Sequence, residues 1–212
     1  MGRHIFIKDS ESLDSAVERA KAIKAEKDKG VGLKVCETEK EGNAFKKALV
    51  EAKATQPKDK AWRVDTDSHE GKDYIGCITH VTKGGSTIAI KNGDIISVCK
   101  NMNDKVKGSE LLKEAVELGG TKLDSFSGNF AFYMKCGFEP VSWTRFDKKY
   151  KPTGWDGRRD REEPVVFFKY TGKKYKKHSA TFWELKESQF YKKVKESKDY
   201  DTAMAVRDKE IK

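Results

Sequence analysis

Between residues 94 and 141 the apolar and polar positions fall into the most regular pattern in the chain. Asp94-Ile-Ile-Ser-Val-Cys is almost unbroken in apolar and β-branched residues, as a strand covered on both faces should be, and predicts a central strand over 94–100. A polar stretch over 101–107 follows, and Gly108-Ser109 opens a run with Leu111, Leu112, Ala115, Val116 and Leu118 at helical spacing. That spacing lays one apolar stripe against a sheet. Gly119-Gly120 stops the helix, because glycine takes a left-handed cap without steric cost. A strand over 122–125, a short helix over 129–135 and a strand over 139–146 complete the block.

Upstream, residues 4–8 predict a short strand, and Ser10 caps a helix running to about residue 28 with Leu13, Ala16, Val17, Ala20 and Ile23 as its stripe. A strand over 31–38 leads to a helix that opens at Gly42-Asn43, carries Ala44, Phe45, Ala48, Leu49 and Ala52 on one face and stops before Pro57. Candidate strands over 62–66, 74–82 and 86–91 are parted by clear turn signals, of which Asn92-Gly93 is the strongest. The last three strands before the central helix make an antiparallel meander. Downstream, residues 147–164 form a loop long enough to demand a reason, residues 165–170 a final strand, and a charged helix begins near residue 181 with Phe182, Trp183, Leu185, Phe190 and Val194. The expected organisation is a strand and helix over 1–30, an α/β domain over 31–171 and a lysine-rich helical extension over 172–212.

Composition narrows the partners. Charged residues (37%) outnumber apolar ones (36%), so a compact core must sit under a heavily charged surface, and a net charge of +10 attracts polyanions: nucleic acid, acidic partners or coenzyme phosphates. Cys36, Cys77, Cys99 and Cys136 lie far apart, without a Cys-x-x-Cys pair, and read as buried free thiols. No apolar run approaches the about 20 residues of a bilayer span, and the first residues lack the apolar core of a secretion signal. A cytoplasmic chain is expected. His69-Glu70 has no second histidine four residues on, so a solvated loop is expected there and no metal site. His4, His80 and His178 stand singly, and Cys99 is expected as a structural thiol.

Two segments carry a family resemblance. Lys105-Val-Lys-Gly-Ser-Glu-Leu-Leu-Lys-Glu-Ala resembles the acyl-CoA pyrophosphate loop of GNAT N-acetyltransferases, whose usual form is Arg/Gln-x-x-Gly-x-Gly/Ala before a Leu-Leu helix. Asn129-Phe-Ala-Phe-Tyr-Met-Lys-Cys-Gly-Phe-Glu resembles the GNAT signature in which a tyrosine precedes Gly-Phe. A looser similarity, from Gly84-Gly85-Ser86 through Trp155 to Tyr170, is to a GNAT-like group found in phage and mobile-element proteins. The resemblance implies a GNAT-like mixed, mostly antiparallel sheet flanked by helices, in the cytoplasm of a bacterial or phage-infected cell. Acetyl-CoA would be the co-substrate, and an amine on a small molecule or protein would attack it directly.

The resemblance also implies roles. Lys105, Val106, Lys107, Gly108 and Ser109 would hold the pyrophosphate at a helix N-terminus. Backbone groups of Ser97, Val98 and Cys99 would pair with the pantetheine arm in a gap between the fourth and fifth strands. Tyr133 would protonate the departing thiolate, and Asp94 and Asp124 are candidates for the base. The chain departs from the family in two places. Val106 stands where a glycine is expected, behind Asn103-Asp104-Lys105 in place of a basic and glycine-rich lead; and the family's asparagine, two turns before the tyrosine, falls on Phe126, while Asn129 is one turn before. The plain alternatives are a loop that only caps a helix and a tyrosine that only packs its ring.

A rival signal lies in residues 145–161 and 169–177, where Tyr150, Trp155, Tyr170 and Tyr175 alternate with lysine and arginine, a composition suited to phosphate contact and base stacking. Asp147, Asp156, Asp160, Glu162 and Glu163 dilute it toward an ordinary solvated surface. Two functions follow: an acetyl-CoA-dependent N-acyltransferase, or a catalytically inactive GNAT-like phage binding module that contacts nucleic acid or a host protein.

Overall fold

A computed structural model describes residues 32–173, 175, 181–187 and 193–211. The expected strand over 4–8 and the helix after Ser10 lie outside these. The architecture is α/β, as expected: mixed, mostly antiparallel sheet flanked by helices, with a helix near the C-terminus of the described residues. The chain divides into two compact units, residues 1–120 with 152–154 and residues 121–151 with 155–212.

In the first unit, β1 (Lys34–Val35), α1 (Glu39–Ala54), α2 (Lys58–Ala61), β2 (Ile78–Val81), β3 (Thr87–Lys91), β4 (Asp94–Cys99) and α3 (Gly108–Glu117) follow in order. The strands pair antiparallel as β1-β2-β3-β4. Asn92 (φ 51°) and Gly93 (φ 76°) make the tight β3–β4 turn that the sequence predicts. The β3–β4 register passes from Ala89 opposite Ser97 to Ile90 opposite Ile95, so Ile96 has no partner across and β4 is bulged there.

Several sequence expectations are corrected here. The strand over 94–100 was expected to be covered on both faces, yet Ile95, Ser97 and Cys99 are buried while Asp94, Ile96 and Val98 are only half-buried. Helix α1 starts at Glu39 instead of Gly42, because Thr38 and Glu41 form a capping box: the Thr38 hydroxyl accepts the Glu41 amide (3.3 Å), and the Glu41 carboxylate accepts the Thr38 amide (3.2 Å). Its early start shortens β1 to two residues. Gly42 then lies inside the helix, and a Cβ there would overlap the backbone of Gly71, so glycine lets α1 settle on the 3₁₀ turn Gly71–Tyr74. That turn takes up Tyr74, and the strand expected over 74–82 forms only over Ile78–Val81. No strand forms over 62–66 either; Trp62 closes α2 and is buried, its indole N–H donating to the Asp59 carbonyl (3.1 Å), and Asp65 accepts the amides of Asp67 (2.8 Å) and Ser68 (3.1 Å) in a turn.

Apolar packing runs along one face of α1. Phe45 meets Tyr74 at 4.8 Å beside Cys36, Cys77 and Ala89, while Leu49 and Ala52 pack on Cys99. The lone His80 is nearly buried on β2, with Nδ1 2.6 Å from Glu114 Oε1 of α3, an ion-pair distance without the alignment of a hydrogen bond. A core contact accounts for it.

In the second unit, β5 (Lys122–Phe126), α4 (Phe130–Lys135), β6 (Phe138–Thr144), β7 (Val165–Tyr170), α5 (Phe182–Glu187), β8 (Lys195–Ser197) and α6 (Tyr200–Lys209) follow. The order is β5-β7-β6-β8, antiparallel except for the parallel pair β6–β8. Phe130, Phe138, Trp143, Phe167 and Phe168 are fully buried and make its core. The extension expected to be helical carries a strand as well: Lys195 lies opposite Ser142, and the Ser142 hydroxyl donates to the Ala203 carbonyl of α6 at 2.6 Å. Asp199 caps α6 through the Thr202 amide (2.8 Å). Among the described residues no helix is long and apolar enough to cross a membrane.

Candidate functional site

β4 runs into the loop that the family resemblance assigns to phosphate binding. Its backbone is held from outside and from within. The Gln56 side-chain amide donates to the Lys100 carbonyl, the Thr55 hydroxyl accepts the Met102 amide (2.9 Å), and the Asn101 side chain accepts the Asn103 amide (3.0 Å). Lys100 Nζ donates to the carbonyls of Asn101 (3.2 Å) and Asp104 (3.0 Å). These bonds fix the course of the loop backbone.

The centre of the loop is a carboxylate. Asp104 accepts the Val106 amide (3.1 Å) and the Thr82 hydroxyl, and it lies against the β2–β3 turn where Gly84 leaves room; a Cβ on Gly84 would overlap its carboxyl. Burial works to raise its pKa, but hydrogen bonds from Ser86, Thr82 and the Val106 and Ser86 amides outweigh burial and hold it at about 2. One residue on, the Glu110 carboxylate accepts the Lys107 amide (2.8 Å). Gly108 and Ser109 are the first two residues of α3, and Lys105 and Lys107 are exposed.

This arrangement does not fit a pyrophosphate as it stands. In a phosphate loop the amides point at the ligand and the helix dipole favours its charge. Here the Val106 and Lys107 amides already serve the side-chain carboxylates of Asp104 and Glu110. An incoming dianion would meet both negative charges at close range.

Upstream on β4, Ser97 is buried and bonds Tyr74 (hydroxyl oxygens 3.1 Å apart). Burial pushes the Cys99 thiol to about 12, against the nearby Lys53 charge, and Cys77 to about 11. Neither is a thiolate nucleophile. Val98 is half-buried, and Asp94 sits in register with Lys91 beside the hairpin turn, at the other end of the strand from the loop. Cys136, expected buried, is half-buried.

Asp124, Asn129 and Tyr133 belong to the second unit. The Tyr133 ring packs at 5.5 Å from Phe168 and 6.2 Å from Phe138. Asn129 donates to the Ser125 hydroxyl (3.1 Å), which ties the start of α4 to β5. Asp124 accepts the Tyr200 hydroxyl (2.9 Å), so its carboxylate is engaged by the C-terminal helix.

The aromatic and basic residues sort differently from the sequence reading. Trp155 stacks on Phe146 (5.0 Å, 31°) and donates its indole N–H to the Arg161 carbonyl (3.2 Å). Tyr170 packs on Phe138 (5.2 Å), and Tyr175 donates to Glu139 (2.6 Å). Of these four aromatics Tyr150 is the most exposed, at 72%. What the sequence did not mark is a cavity of about 180 Å³ lined by Trp143, Arg145, Phe146, Glu162, Pro164 and Trp183. Trp143 and Trp183 meet edge to face at 5.5 Å, and Lys186 Nζ lies 4.1 Å from the Trp143 ring centre. The two tryptophans are 40 positions apart in the chain, and the nearest sequence signal is Trp143-Thr-Arg145, a strand aromatic followed by a cation. No family model, curated protein or solved structure matches this chain.

Proposed function

We propose that the chain is a binding module on a GNAT-like scaffold that works without coenzyme A and contacts nucleic acid. The carrying observation is Asp104, whose carboxylate holds the Val106 amide in the seat where the family places a phosphate. A loop that supplies its own anion has no vacancy for another. The net charge of +10 supports a polyanionic partner, and the cations beside the tryptophan-lined cavity offer it a place to sit.

Two titrations of the full chain test this reading. Acetyl-CoA at about 1 mM should leave the melting temperature unchanged, since a ligand that does not prefer the native state cannot stabilise it. Single-stranded DNA should bind with an affinity that falls steeply with salt, by about 0.7 log units per phosphate contacted for each log unit of salt. Saturable stabilisation by acetyl-CoA, with acetyl transfer to an amine, would restore the transferase reading.

A further inference from the structure

We infer that the cavity lined by Trp143 and Trp183 receives one unpaired base of a single-stranded nucleic acid, stacked on Trp183 with an acceptor on its edge taking the Trp143 indole hydrogen. The inference rests on the nucleic-acid reading above and names the site and the form of the ligand.

Four observations carry it. Trp143 is fully buried, and its Nε1 has no acceptor among the described residues. Indole is a donor only, and a buried donor without a partner is unfavourable, a deficit that a ligand acceptor removes. Trp183, which shares the cavity, is 45% exposed and offers ring area to a ligand. At about 180 Å³ the cavity is smaller than the roughly 300–1,000 Å³ of cofactor and drug sites, so it suits a single planar ring system better than a whole coenzyme. Cations stand around it: Arg145, whose side chain is 77% exposed, Lys148 and Lys186.

The carboxylates beside these cations set how they act. Glu196 bonds Arg145 (2.8 Å) and stands 3.8 Å from Lys186, while Glu162 stands 2.6 Å from Lys148. Three cations against two carboxylates leave a modest positive excess. That excess suits one or two flanking phosphates, with the affinity coming from the stack, as in single-strand binders that combine aromatic platforms with a basic groove. A paired base cannot enter, because its faces are covered in the duplex stack. The same aromatic lining would take a proline-rich peptide, but the cations and the net charge favour the polyanion.

The test uses the full chain and a fluorescein-labelled, mixed-sequence single-stranded DNA of about 12 nucleotides, a length within the site sizes of such binders. Trp183→Ala should weaken binding by about tenfold, in line with about 1–3 kcal/mol per stacked base, and leave the salt slope unchanged. Trp183→Phe keeps a stacking face and should recover most of the loss. Arg145→Ala should lower the salt slope by about one phosphate contact. A duplex of the same sequence should bind more weakly. If the DNA binds and none of these variants alters it, the cavity assignment fails and the nucleic-acid reading stands. If no DNA binds to the unaltered chain, both fail. Tighter binding of a proline-rich peptide than of DNA, abolished by Trp183→Ala, would overturn the assignment in favour of a peptide groove. Should Trp183→Ala not fold, Arg145→Ala still decides it, since an unchanged salt slope would count against the site.

Discussion

Asp104 accepts the backbone amide of Val106 at 3.1 Å, two residues away in the chain, while its other carboxyl oxygen takes a hydroxyl from Thr82, 22 positions upstream. One carboxylate therefore fastens the loop after β4 to the β2–β3 turn and uses an amide that a phosphate loop would offer to its ligand. Asp104→Ala should destabilise the chain by about 1–2 kcal/mol, the range for charge-assisted bonds discounted for a half-buried site. Urea unfolding at neutral pH measures it. If the anion seat survives, the variant should also gain stabilisation by inorganic pyrophosphate, which the unaltered chain should not show.

The same carboxylate sets an acid limit. Its pKa is held at about 2, below the ordinary 3.8, so the stability it contributes is present above about pH 4 and is lost as pH falls toward 2. Other carboxyl groups held low, among them Asp67, Asp199 and Asp208, titrate in the same direction. The difference between the unaltered chain and Asp104→Ala isolates Asp104. That difference should shrink between about pH 4 and pH 2, and a gap independent of pH would show that the carboxylate is not bonded as described.

Gly42→Ala tests how α1 is seated. Alanine is normally better than glycine inside a helix by about 1 kcal/mol. At this position the new Cβ would overlap the Gly71 backbone, which cannot swing aside as a side chain can. The clash should outweigh propensity and destabilise by about 2 kcal/mol or more, read from the shift in denaturation midpoint. A stabilised variant would mean that helix and turn stand further apart.

Cys77 and Cys99 should resist alkylation. Burial raises their thiols to about 11 and about 12, so at neutral pH the reactive thiolate is scarce and reagents cannot reach it. Half-buried Cys136 should react first under native conditions. Mass mapping after brief exposure to iodoacetamide checks the order, and early labelling of Cys99 would contradict its burial.

Elements with local signals were legible in the sequence. The Asn92-Gly93 hairpin, the helix opening at Gly108 and the strand Val165–Tyr170 stand where the pattern puts them, because each is punctuated by glycine or by a dense β-branched and aromatic run. Thr38-x-x-Glu41 was a readable cap that the nearby glycine obscured. Trp62 and β8 were not legible: one has its indole hydrogen bond inside a turn, the other pairs with β6 from more than 50 positions away. The candidate sites divide in the same way. The valine at 106 was visible as a departure from the family pattern, but Asp104 gains its meaning only from Thr82 and Gly84, and the tryptophan cavity only from a fold that joins β6 to α5.

β8 has a consequence for how the second unit behaves in solution. Its three residues lie along β6, whose backbone would otherwise offer open hydrogen-bonding groups to any extended chain that drifts past. The guard strand is too short to invite a neighbour itself, and Lys195 and Glu196 put opposite charges on the rim. A chain cut before residue 193 would therefore lose this cover on β6 together with α6, and with them its protection against self-association.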